Sequence, residues 1–205
     1  LAGGDPEDEL RAVGAIARAV EGRARLRADA NGGWSEPIAL RMIPRLAALG
    51  LEYIEQPIPR GHPEAMARLT KSSPIPIMAD ESAYTPEETL ALLRQEAANA
   101  LCLKLAKAGG VLASQKMAAI AEAAHIPCVM STMLEMSIGC AAAVHLAAAT
   151  PAVNLGSELV GPLLLTDDVA KEPLRYDRGH ILVPHAPGLG VTLDEDKLRR
   201  YARAS

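Results

Sequence analysis

The sequence predicts an α/β protein built on a parallel sheet, and three observations carry the prediction. Short apolar runs end abruptly in a polar or charged residue, those ends recur at a nearly constant interval, and the stretches between them show helical apolar spacing with helix-start signals. The run ends are Asp29, Glu55, Asp80, Lys104, Ser131 and Glu158, separated by 26, 25, 24, 27 and 27 residues. A period of that length accommodates one strand, one helix and two short loops. Six such units with right-handed crossovers imply a parallel sheet whose closed form is a TIM-type (β/α) barrel, with the C-terminal ends of its strands on one face.

Taken in order, Asp5 followed by Pro6 and the acids Glu7, Asp8 and Glu9 reads as a helix start. Leu10, Val13, Ile16, Ala17 and Val20 continue at helical spacing until Gly22. A strand over 25–28 delivers Asp29, and Asn31-Gly32-Gly33-Trp34 turns the chain. Ser35 and Pro37 open a second helix with Ala39, Met42, Ile43, Leu46 and Leu49 on one face, and Pro44 is expected to kink it. The strand at Tyr53-Ile54 delivers Glu55, and a loop with Pro57, Pro59 and Pro63 leads to a helix over 64–69. Pro74 and Pro76 precede Ile77-Met78-Ala79, which stops at Asp80, Glu81 and Ser82, and Thr85-Pro86-Glu87-Glu88 is a capping box for the next helix. The run 100–103 carries Lys104, and Gly109-Gly110 opens a helix to Ala124. Cys128-Val129-Met130 stops at Ser131-Thr132, a small-residue helix spans about 135–149, and a sixth strand over 153–157 leads to Glu158.

Beyond Leu165 the pattern changes, with a strand at 181–183, the turn Pro187-Gly188-Leu189-Gly190 and a last helix over 194–202. Residues 1–165 therefore read as a partial barrel carrying the site, and 166–205 as a return segment that packs outside it.

With 205 residues, 49% of them hydrophobic, the chain can bury a substantial core. A net charge of −4, one Trp, four Tyr and no Phe argue against a nucleic-acid groove, which needs a positive stripe and stacking aromatics. Cys102, Cys128 and Cys140 form no C-x-x-C and sit in apolar surroundings, as reduced core thiols of a cytoplasmic protein would. No signal peptide or membrane span is expected.

Three carboxylates, Asp29, Glu55 and Asp80, on consecutive parallel strands would bring like charges close enough to need a cation. Oxygen donors suit a hard divalent ion, Mg²⁺ first and Mn²⁺ second, whereas zinc would want His or Cys. Lys104, on the neighbouring strand and beside that cation, suits proton transfer to or from a bound carboxylate substrate. A strand-tip acid taken alone is more often a helix cap or surface charge, and the even spacing, together with the motifs quoted below for the resemblance, favours ligation for the set. Asn31 and Glu81 read as groups that orient ligands, with a plain turn role as the alternative. Lys107 is equally a second site cation or a solvated loop residue. Ser131, Thr132 and Met133 either touch substrate or simply pack, and Glu158 either serves as an acid or caps the strand end. His62, His125, His145, His180 and His185 show no ligand spacing.

Asp29-Ala30-Asn31, Glu55-Gln56-Pro57, Ala79-Asp80-Glu81-Ser82 and the run Leu103-Lys104-Leu105-Ala106-Lys107-Ala108-Gly109-Gly110 resemble the enolase superfamily. Ser131-Thr132-Met133-Leu134-Glu135, the stretch from Ser157 to Leu165 and Pro187-Gly188-Leu189-Gly190-Val191 are similar to its muconate-lactonising branch. The resemblance implies a (β/α)7β barrel, present as about six units plus the return segment. It implies Asp29, Glu55 and Asp80 as ligands of Mg²⁺ or Mn²⁺, Lys104 on one face of the substrate and Glu158 as the acid on the last strand.

The activity implied is an isomerase reaction, an intramolecular lyase step that lactonises cis,cis-muconate or a substituted muconate through a metal-stabilised enolate in aromatic catabolism. A cytoplasmic homo-oligomer with a small carboxylate substrate is implied as well. Sister activities are dipeptide epimerisation, N-acylamino-acid racemisation and o-succinylbenzoate synthesis; Ser157-Glu158-Leu159 departs from the Asp-x-Asp pattern of epimerases and favours lactonisation. Family members carry a K-x-K pair upstream and an N-terminal capping domain, and Leu1 falls just after the place of that pair. The chain is thus expected to be a fragment lacking two barrel strands, inactive by itself, and a non-catalytic fragment is the reading from another class.

Overall fold

The computed structural model describes Leu1 and residues 4–202, which divide into two compact units, Leu1–Cys102 with Ala123–Ile126, and Leu103–Glu122 with Pro127–Ser205. The first unit alternates helices and strands: α1 (Pro6–Val20), β1 (Leu26–Asp29), α2 (Glu36–Ala48), β2 (Leu51–Glu55), α3 (Pro63–Ser72), β3 (Ile77–Ala79), α4 (Pro86–Arg94) and β4 (Ala100–Leu103). The strands lie in chain order, with parallel ladders from β1 to β2, β2 to β3 and β3 to β4.

Each of these four helices carries Pro in its first turn, where the missing N–H costs nothing and the fixed φ suits the helix. Asp5 caps α1 by accepting from the N–H groups of Glu7 and Asp8, and Thr85 caps α4 through the N–H of Glu88 at 3.1 Å. Glu88 reaches back to accept from the N–H of Tyr84, one residue earlier than a capping box requires. The helix α2 continues through Pro44 to Ala48. Its face of Ala39, Met42, Ile43 and Leu46 is buried, as are Ile54, Met66, Leu69, Ile77, Met78 and Leu101. Each large side chain among these contributes about 1.5–3 kcal/mol of burial.

The second unit begins at Leu103, whose carbonyl accepts from the N–H of Ser131, the residue after β5 (Cys128–Met130). A four-residue helix that the spacing did not predict, α5 (Leu105–Ala108), follows Lys104, and Gly109 closes it at φ 88°. The remaining elements are α6 (Val111–Ala123), α7 (Ser137–Ala148), α8 (Gly161–Leu164), the antiparallel pair β6 (Tyr176–Asp177) and β7 (His180–Ile181), and α9 (Glu195–Tyr201). The sixth strand expected over 153–157 is instead an isolated parallel bridge, Met130 to Ser157. Backbone hydrogen bonds still tie Ala152, Leu155, Gly156 and Glu158 to β5, but Gly156 at φ 95° breaks the extended conformation that a strand needs.

The three cysteines are buried thiols; burial pushes Cys128 up to about 12 and Cys140 up to about 11. No helix among the described residues is long and apolar enough to cross a membrane.

The carboxylate of Asp167 accepts from Lys197 Nζ and Tyr201 Oη, each at 2.7 Å, and pins α9. The Lys197 ammonium, then Tyr201, hold this carboxyl below the usual aspartate range. A carboxyl lowered on folding stabilises the native state above its unfolded pKa, and that contribution is lost as pH falls through the lowered value. The helix α9 is therefore expected to stay docked at neutral pH and to be released on strong acidification, read by hydrogen exchange over 195–201. The Asp167→Asn variant should show the released pattern already at neutral pH.

Candidate metal centre

Parallel strands of equal period place their last residues side by side. Asp29 ends β1 opposite Glu55, the last residue of β2, and Asp80 directly follows β3. Ala79 pairs with Leu101, so one further step of that register sets Asp80 beside Cys102.

Among the described residues, carboxylate oxygens of Glu55 and Asp80 and the Cys102 sulfur all lie within 4.8 Å of one another. Glu55 is 5% exposed, Asp80 2% and Cys102 0%. Two buried carboxylates and a sulfur this close could hold a divalent cation.

Asp29 is half-buried and is not one of the three. Its Oδ1 accepts from the N–H of Asn31 at 2.7 Å, and Asn31 sits at φ 46°. Asn31 thus orients Asp29 through its backbone, in a turn of the Asx type. The exposed turn comes close to the next loop: a Cβ on Gly32, at φ 67°, would lie 3.1 Å from Pro59 Cα. Glu81 is half-buried in the turn that the N–H of Ala83 closes on the Asp80 carbonyl.

Gln56 is the part of this site that residue types alone did not reveal. It is fully buried, and its Oε1 accepts from the N–H of Asp80 at 3.0 Å and of Ser82 at 3.1 Å. Its Nε2 donates to the Ile58 carbonyl and to Ser82 Oγ, both at 2.8 Å. The signal that could have found it is its place between a strand-tip acid and a proline, where a buried amide must satisfy two loops at once.

In the second unit, Lys104 is half-buried at the start of α5, and Lys107 is half-buried within it. Ser131 is buried and its hydroxyl donates to Glu158 Oε2 at 3.2 Å, so two of the expected residues meet. The N–H of Glu158 donates to Met130 at 2.8 Å, which fixes the backbone beneath that carboxylate. Tyr176 Oη holds the next residue by donating to the Leu159 carbonyl at 2.6 Å, and burial pushes the phenol up to about 12.

Thr132 and Met133 belong to a self-capped loop: the Glu135 carboxylate accepts from the Thr132 hydroxyl and from the N–H of Met133. Met133 itself is 57% exposed. The helix expected from about 135 begins at Ser137 because Glu135 is engaged in that loop. The buried carboxylate of Asp168 accepts from the Ser137 N–H and hydroxyl at 2.8 and 2.7 Å and so satisfies the N-terminus of α7.

The loop also fixes its neighbour, since a Cβ on Gly161 would sit 2.1 Å from the Glu135 carbonyl oxygen. That contact is with backbone and cannot be relieved by a rotamer change. Gly161→Ala is expected to cost about 1–3 kcal/mol, as overpacking does, and to displace residues 132–135. A denaturant midpoint equal to that of the unsubstituted protein would contradict it.

The chain is similar to known proteins over nearly its whole length. The family described as "Enolase C-terminal domain-like" matches residues 1–197. Muconate cycloisomerase 1 of Rhodococcus opacus is 42% identical over 199 residues, covering 97% of this chain and 53% of that protein. A chloromuconate cycloisomerase of Cupriavidus pinatubonensis is 42% identical over 200 residues, covering 98% of this chain and 54% of that protein. The chain thus spans about half the length of the curated relatives it matches. Among solved structures, a muconate cycloisomerase from Pseudomonas fluorescens superposes with a TM-score of 0.96 at 43% identity, covering 100% of this chain and 56% of that one. A muconate lactonizing enzyme from the same organism, complexed with muconolactone, gives 0.95 at 44% identity, with 99% and 55% covered.

Proposed function

Because this chain belongs to the enolase C-terminal domain-like family, we propose that it is the metal-binding part of a cycloisomerase that lactonises cis,cis-muconate or a substituted muconate. The observation that carries the reading is the buried pair Glu55 and Asp80, a donor set suited to a divalent cation. Identity near 42% to muconate and chloromuconate cycloisomerases over nearly all of the chain supports the substrate class.

In this reading Glu55 and Asp80 hold Mg²⁺ or Mn²⁺, with Asp29 as the further oxygen ligand from the adjoining strand. The cation, when bound, supplies positive charge that stabilises a developing enolate on a substrate carboxylate. Gln56 holds the Asp80 backbone in place, and Asn31 turns Asp29. Lys104 is the group assigned to hold or move a proton at the carbon next to that carboxylate. Glu158, oriented by the Ser131 hydroxyl, is the acid assigned to the substrate, with Thr132 and Met133 contributing to its binding surface. The five strands would belong to a (β/α)7β barrel whose remaining strands lie outside this chain, and 166–205 would be its return segment. Three buried thiols in no disulfide favour a cytoplasmic setting. A homo-oligomer is part of the same reading, checked by light scattering.

The deciding assay follows the ultraviolet absorbance of the muconate diene with Mn²⁺, using protein that contains this chain within its full coding sequence. Loss of the diene at a rate that falls at least about a hundredfold in Lys104→Ala is the expected result. Turnover of an N-acylamino acid or a dipeptide in place of muconate would move the assignment to a sister reaction, and no turnover of any of them would leave a non-catalytic metal-binding domain.

A further inference from the structure

A thiol in an apolar strand normally packs against aliphatic side chains, as a small hydrophobe would. Cys102 does not fit that description. It is fully buried in β4, and its sulfur lies within 4.8 Å of carboxylate oxygens on both Glu55 and Asp80. The β3–β4 register explains the placement, because Cys102 follows Leu101 as Asp80 follows its partner Ala79. Two donors that share one ion can be no farther apart than the sum of their bond lengths, about 4.3–4.5 Å for sulfur and oxygen on zinc. The three atoms already lie within 4.8 Å of one another, so a shift of at most a few tenths of an ångström brings them to that limit.

We infer that Cys102 donates its sulfur to the cation held by Glu55 and Asp80, and that it biases this site away from Mg²⁺ toward softer divalent ions such as Co²⁺, Zn²⁺ and Cd²⁺. The inference rests on the metal-binding reading of those two carboxylates. On coordination the S–H proton leaves to solvent and the sulfur gives a lone pair to the ion, with no electron transferred. An oxygen-only site prefers hard cations, and one thiolate in the set adds affinity for softer ones while giving Mg²⁺ little. The sequence-based expectation of Mg²⁺ ahead of Mn²⁺ took the donors to be carboxylates alone; the sulfur reverses the order of preference for the other metals. Cys128 and Cys140 do not join this group of donors, and Cys140 instead donates to the Glu135 carbonyl at 3.2 Å.

The test is a titration of the metal-free protein with Mg²⁺, Mn²⁺, Co²⁺ and Cd²⁺, followed by calorimetry and by near-ultraviolet absorbance. A sulfur-to-metal charge-transfer band is expected with Cd²⁺ and Co²⁺ and should vanish in Cys102→Ser. That variant should lose at least tenfold in Co²⁺ and Cd²⁺ affinity while its Mg²⁺ affinity stays within about threefold. Cys102→Ala keeps a small side chain in the strand and serves as the second variant if the hydroxyl of serine perturbs folding. Bound Cd²⁺ with no charge-transfer band in the unsubstituted protein, or an unchanged Co²⁺ to Mg²⁺ affinity ratio in either variant, overturns the role of Cys102. Failure of the unsubstituted protein to bind any of the four ions would overturn the carboxylate site itself, an outcome distinct from the first two.

Discussion

Asp80→Asn and Glu55→Gln are each expected to weaken Mg²⁺ and Mn²⁺ binding by at least about a hundredfold, equivalent to about 2.7 kcal/mol. Both substitutions conserve volume and leave the backbone hydrogen bonds of the strand ends in place, so the loss reports the charge. Glu55 and Asp80 are 5% and 2% exposed, and an amide in place of either carboxylate halves the negative charge that this buried pair offers an ion. A ligand that binds the native state alone stabilises it by RT ln(1 + [L]/Kd), about 2.7 kcal/mol at a hundred times Kd. The unsubstituted protein should therefore unfold at a higher temperature as Mg²⁺ is added, whereas the two variants should not respond over the same range. Without cation the variants should keep a cooperative unfolding transition, so that loss of the Mg²⁺ response reports a lost ligand and not a lost fold. An Asp80→Asn protein with the parent's Mg²⁺ titration would remove the metal assignment.

The strand ends were legible in the sequence because an apolar run that stops at a carboxylate records both burial and its limit. Asp29 and Glu55 close β1 and β2 and Asp80 follows β3, as the interval between them requires. Helix starts were legible for the same local reason: Asp5 and Thr85 accept from the N–H groups that a first turn leaves over. What could not be read was anything decided across strands. Cys102 looks like a core residue from its neighbours in the chain, and only the pairing of Ala79 with Leu101 brings it to Asp80. Gln56 and Glu135 were hidden differently, since a polar residue beside a proline or before a helix is ordinarily a loop or cap residue. Each turned out to accept or donate within a folded loop. The sixth strand is reduced to a bridge at Ser157, and the positive φ of Gly156 before it is not encoded in the apolar pattern of 153–157.

Gln56→Ala is expected to cost about 3–5 kcal/mol of stability, more than any other single polar substitution in the first unit. The side chain is fully buried and makes four hydrogen bonds that join the loop after β2 to the turn after β3. Its removal leaves the N–H groups of Asp80 and Ser82 facing a cavity, at about 1–3 kcal/mol for each buried group left unsatisfied. Ala also keeps the left-handed backbone of this position, φ 34°, without the side chain that pays for it. For a domain of this size each kcal/mol lowers the melting temperature by about 2–4 °C, so a fall of about 6–20 °C should be seen. Because the lost contacts hold the Asp80 backbone, Mg²⁺ affinity should fall as well, by about tenfold, as happens when a group that positions a ligand is removed. Gln56→Glu discriminates between the two consequences. A carboxylate can still accept from Asp80 and Ser82 but cannot donate to the Ile58 carbonyl, and it adds a negative charge next in the chain to Glu55. It should destabilise the cation-free protein and be partly rescued by saturating Mg²⁺, whereas Gln56→Ala should gain less from the ion. A Gln56→Ala protein within 1 kcal/mol of the parent would mean that the two loops hold their shape without the amide and that Asp80 is placed by its strand alone.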